Sequence, residues 1–105
     1  MIDAVQIVTT TASKADAEKI ARALVERRLA ACVQIGGPIT SCYHWQGQVE
    51  TAEEWLCTIK TRRDLYSQVE AAIQELHPYQ TPEILATQVV EGSREYLQWL
   101  GDETA

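Results

Sequence analysis

Five apolar residues, Leu65, Val69, Ala72, Ile73 and Leu76, recur at i, i+4, i+7, i+8 and i+11. That spacing lays a single apolar stripe along a helix. The stripe stops abruptly, because His77 precedes Pro78 and is driven toward extended backbone. Thr61 with Asp64 offers a cap at the start of the same helix. After a second proline, Pro82, the run "EILATQVV" from Glu83 to Val90 reads as a strand. A helix with one stripe needs a sheet to pack on, so the rest of the chain has to supply the other strands.

It does so in a definite order. "AVQIVTT", Ala4 to Thr10, is short and rich in β-branched residues, as a central strand is. Ser13 with Asp16 can cap a helix in which Ile20, Ala21, Leu24 and Val25 recur at helical spacing, with Arg27 and Arg28 at its end. "LAACVQI", Leu29 to Ile35, reads as a second strand. Gly36-Gly37-Pro38 reads as a bulge or bend as readily as a full turn. "ITSCYHWQGQVE" alternates, with Ile39, Ser41, Tyr43 and Trp45 on one side and Thr40, Cys42, His44 and Gln46 on the other. Gln46-Gly47 supplies a hairpin turn, and Glu53 to Lys60 is the return strand. Ser93 can cap a third, short helix through Leu100, with Gly101 as its stop.

The order β-α-β-β-α-β predicts an α+β fold of the ferredoxin-like, split β-α-β kind: an antiparallel sheet with two helices on one face and a short C-terminal helix. Residues 1–105 form one domain on this reading. The second face of the sheet then carries apolar and aromatic residues with no long helix to cover it, which points to another subunit.

Charge narrows the partners. Nine basic residues stand against fifteen acidic ones, a formal net charge of −6. Phosphate backbones demand clustered Lys and Arg, so nucleic acid and anionic membranes are disfavoured. No apolar run approaches the roughly 20 residues of a membrane span. The start "MIDAVQIVTT" lacks the features of a secretory signal, and the three cysteines are an odd number. Both point to reduced thiols and a cytoplasmic location.

No C-x-x-C or H-x-x-x-H pattern is present, so a closed structural zinc site is not expected. Cys42 and His44, at i and i+2, would share one face of a strand and could share a metal; a small buried thiol beside a half-exposed imidazole is the plainer alternative. Cys32 lies in an apolar strand, either as a buried small hydrophobe or as a soft thiolate suited to copper(I). His77 sits in a segment stiffened by Pro78 and Pro82, beside Tyr79 and Glu83. It reads either as a ligand or as a helix C-terminal cap. Trp45, Trp55, Trp99 and the tyrosines line a core, a pocket or a subunit interface.

"RLAACV" at Arg28–Val33, "S-x-Y-x-W-x-G" at Ser41–Gly47, "IKT" at Ile59–Thr61, "HPYxTPE" at His77–Glu83 and "YLxWL" at Tyr96–Leu100 occur in that order. Together they resemble the CutA family of divalent-cation tolerance proteins, over nearly the whole chain. The resemblance implies a ferredoxin-like domain in a tight homotrimer, similar to the trimers of PII signalling proteins. It implies a role in tolerance of copper and other divalent metals, copper binding in some members, a signalling-type role and no firmly established enzymatic activity. It points to Cys32 and His77 as metal ligands. It places Tyr43, Trp45, Glu54, Lys60, Tyr79, Glu83 and Trp99 near a cleft between subunits. Some members carry a cysteine where this chain has Thr9, and a second histidine where it has Leu76. Two other readings stand beside this one: a scaffold trimer with no small ligand, and a cryptic enzyme using His77, Lys60 and Glu54 as acid-base groups in the cleft.

Overall fold

The structure is a computed structural model, and it describes residues 2–105. Strand β1 (Ala4–Thr11) leads into helix α1 (Lys14–Glu26), then β2 (Cys32–Trp45) and β3 (Gln48–Arg62). A 3-10 turn (Arg63–Leu65) enters helix α2 (Tyr66–Leu76), followed by β4 (Leu85–Gln88) and helix α3 (Arg94–Glu103). The sheet order is β2-β3-β1-β4 and every pairing is antiparallel. This is the split β-α-β arrangement that the order of elements predicts.

The core lies between one face of the sheet and the two long helices. Val5 and Ile7 of β1 and Cys57 and Ile59 of β3 meet Ala17, Ile20 and Leu24 of α1 and Val69, Ala72 and Ile73 of α2. Ile7, Ile20, Leu24, Ile59 and Ile73 are fully buried. Each contributes about 1.5–3 kcal/mol by leaving water. Ala4, one residue from Val5, faces the other way, as strand alternation requires. There it packs with Ala31, Leu97 and Leu100, so α3 covers one end of the second face.

Several boundaries differ from the sequence expectation. Thr61 is not a helix cap: it belongs to β3, fully buried, and its hydroxyl donates to the Leu29 carbonyl at 2.6 Å. The 3-10 turn replaces the cap, and α2 begins without one. Leu29 to Ala31 precede β2, because the amides of Leu29 and Ala30 close the end of α1 on the Leu24 carbonyl at 2.9 and 3.2 Å. Gly101 lies inside α3 rather than after it. A Cβ there would sit 3.2 Å from Ile2, so close packing explains the glycine. β4 is shorter than Glu83 to Val90, since it is an edge strand paired with β1 only from Val5 to Val8.

The hairpin is longer than expected. Gly36-Gly37-Pro38 is a bulge within one strand, with a cis Gly37–Pro38 peptide, and β2 continues through it to Trp45. Gln46 and Gly47 both take positive φ, 50° and 79°, which fits a tight hairpin turn. β1 pairs with β3 only from Trp55 onward. From Ile39 to Glu54 the hairpin is therefore a two-stranded ribbon, and the molecule measures 45 × 25 × 22 Å.

Candidate functional site

The corner after α2 is fastened to the sheet by His77. Its amide caps the helix on the Ile73 carbonyl at 2.8 Å, and its backbone is already extended. The Tyr79 amide donates to His77 Nδ1 at 3.1 Å. An amide only donates, so Nδ1 is the bare nitrogen and Nε2 carries the proton. Nε2 then donates to the Thr10 carbonyl at 2.7 Å. His77 is 7 % exposed. His77 stands at the C-terminal position of α2. The imidazole does not lie over the helix end but reaches across to β1.

Two residues later, the Tyr79 hydroxyl donates to Glu54 Oε2 at 2.7 Å. Glu54 is 7 % exposed, so this is a buried carboxylate with a phenol as its partner. Burial first, then the hydrogen bond and charge of Glu54, hold the Tyr79 phenol well above its ordinary pKa, with Tyr43 and Asp16 adding to the effect. It remains a donor across the neutral range. The bulge positions Glu54. Gly37 has φ of 149°, and a Cβ on it would lie 3.0 Å from both the Glu54 carbonyl and the Trp55 ring. Only glycine lets the two backbones approach so closely.

A second polar group lies toward the other end of the sheet. Cys32 faces Lys60 across the β2–β3 pair, and Lys60 faces Gln6 across β3–β1. The Lys60 ammonium donates to the Gln34 side-chain oxygen. Burial, then the neighbouring Cys32, raise the Tyr96 phenol. Trp99 packs beside Tyr96 on α3, ring centroids 5.5 Å apart. Tyr43 and Trp45 stand exposed on the ribbon, and Glu83 is exposed just before β4.

A single chain does not bring His77 and Cys32 into one metal centre. His77 sits at Thr10 and Cys32 at the level of Gln6, four residues along β1, roughly 13 Å. No group of three His, Cys, Asp or Glu among the described residues is placed to hold a metal ion. Lys60 and Glu54 are six residues apart on β3, roughly 20 Å, so the acid-base set of the enzyme reading is not assembled within one chain either. Thr9 is fully buried and pairs with Cys57, and its hydroxyl has no partner among the described residues. Leu76 packs on the core. Sequence reasoning missed Thr10 and Gln34. Their roles follow from strand register and from a backbone carbonyl, and neither leaves a motif.

The model of the CutA1 divalent ion tolerance protein family matches residues 5–103. The chain belongs to the CutA1 family. A divalent-cation tolerance protein CutA from Thermus thermophilus is 45% identical over 98 residues, covering 93% of this chain and 95% of that protein. The solved CutA from Xylella fastidiosa superposes with a TM-score of 0.96 at 40% identity, over 98% of this chain and 99% of that one. A CutA from Archaeoglobus fulgidus, described as a periplasmic divalent cation tolerance protein, superposes at 0.95 with 36% identity, over 97% and 99% of the two chains. The CutA1 fold and the link to divalent-cation tolerance are thus those the sequence motifs imply. The Thermus and Archaeoglobus proteins are named for divalent-cation tolerance.

Proposed function

We propose that this chain works as a homotrimeric, non-catalytic cation-tolerance protein whose ligands meet in clefts between subunits. The observation that carries the reading is the ribbon. Two-stranded ribbons are marginal alone in water. Here Ile39, Tyr43 and Trp45, on one face of it, are all exposed. Neighbouring copies that wrap the ribbon would bury these residues. They would also close a cleft over the Glu54–Tyr79 pair at its base. Light scattering is expected to give three times the 11.8 kDa chain mass. A monomer mass would remove the trimer and with it the cleft.

Copper binding through Cys32 and His77, and a signalling-type role for the cleft, rest on the family resemblance. At His77 a metal has to displace either the Tyr79 amide or the Thr10 carbonyl, since both ring nitrogens are engaged. Isothermal titration of Cu(I) and Cu(II) into wild type, His77→Ala and Cys32→Ser tests this directly. Equal binding by all three excludes both residues. A cytoplasmic location belongs to the same reading, supported by three free thiols, Cys32, Cys42 and Cys57. Cell fractionation decides it.

A further inference from the structure

We propose that Cys42 and His44 form a surface site for a soft monovalent cation of the copper(I) class, separate from Cys32 and His77. The two residues stand at i and i+2 on β2, so both side chains leave the same face of the ribbon. Their Cα atoms are roughly 7 Å apart, a span that a thiolate and an imidazole close around one ion. The alternative of a buried thiol is not what the fold produces: Cys42 is exposed, and so is His44.

The other candidate donors are occupied or hidden. Cys57 is fully buried and its thiol is pushed up to about 11 by that burial. His77 has both nitrogens engaged. Cys32 is half-buried, and His77 lies roughly 13 Å from it along the sheet, so the two are not paired within one chain. Opposite Cys42 and His44 stand Thr51 and Val49, which bring no charge. Glu53 pairs with Thr40 on the same face, one step beyond Thr51, and adds a negative charge near the site.

The donor set selects the ion. A structural zinc site takes four protein ligands, and hard cations take oxygens. One thiolate with one imidazole is a soft pair. Copper(I) and silver(I) accept two ligands in a near-linear arrangement. On binding, the Cys42 thiol releases its proton to solvent and the sulfur–metal bond forms. The metal enters and stays monovalent, so no oxidant is needed. The site lies within one hairpin and does not depend on the proposed trimer, so its test and that of the trimer fail separately.

The test is alkylation of the reduced, metal-free protein under anaerobic conditions, followed thiol by thiol by peptide mass spectrometry. One equivalent of copper(I) per chain is supplied, buffered with bicinchoninate. Cys42 is expected to react readily without metal and at least roughly 10-fold more slowly with it, while the buried Cys57 keeps its rate. Even an outer partner of a metal ligand is worth that factor in affinity. His44→Gln, an exposed substitution whose fold is checked by circular dichroism, should restore the Cys42 rate. The proposal is overturned by a Cys42 inert without metal. Protection of Cys42 that survives in His44→Gln, or protection of Cys32 instead, overturns it equally.

Discussion

The Tyr79 hydroxyl donates to Glu54 across 2.7 Å and so ties the corner after α2 to the base of the ribbon. Both partners lie in one continuous chain of contacts, Thr10–His77–Tyr79–Glu54, in which His77 and Tyr79 are joined through the Tyr79 amide. Removing the hydroxyl leaves a buried carboxylate short of a donor. Tyr79→Phe is expected to cost about 1–3 kcal/mol, and adding Glu54→Gln, which removes the stranded charge, should recover part of it. Urea unfolding at fixed chain concentration measures it, and a cost near zero would mean that water replaces the phenol.

His77 gives a sharper spectroscopic expectation. The proton belongs on Nε2, because the Tyr79 amide occupies Nδ1. Nitrogen-15 NMR of the neutral imidazole should find that tautomer. His77→Ala removes two hydrogen bonds and leaves a cavity, for a loss of about 3 kcal/mol. The opposite tautomer would break the described chain of contacts.

Alkaline stability should depend on Cys57. Burial raises this thiol from 9.0 to about 11. The folded state holds the proton that the unfolded chain releases, so the contribution is intact below pH 9.0 and is lost as pH rises toward about 11. Wild type should therefore lose on the order of 2 kcal/mol more than Cys57→Ala between those limits. Parallel pH–stability curves for the two proteins would contradict the assignment.

Thr9 carries a fully buried hydroxyl without a partner among the described residues. Thr9→Val keeps the shape and removes an unsatisfied polar group, so it should stabilise by about 1 kcal/mol. A destabilised variant would mean that the hydroxyl finds a partner, such as a buried water.

Much of the architecture was legible in the sequence. The helical spacing from Leu65 to Leu76 put Val69, Ala72 and Ile73 in the core, where they are. Ser13 caps α1 through the Asp16 amide at 3.1 Å, as its spacing suggests. Thr61 was misread because a threonine three residues before an acid looks the same whether it caps a helix or ends a buried strand. Gly101 was misread because a glycine chosen for close packing on Ile2 cannot be told from a helix stop without the partner.

The sequence alone determined the order of elements, the helix that ends at His77 and the strand alternation that puts Cys42 and His44 on one face. Those follow from local rules: the 3.6 and 2 periods, the steric demand of proline and the reach of a capping side chain. Only the tertiary structure decided that His77 reaches Thr10, that Tyr79 meets Glu54 and that Cys32 lies roughly 13 Å along the sheet from His77. Thr10 and His77 are 67 residues apart in sequence. A contact over that separation is set by strand register and core packing, which no neighbouring residue encodes.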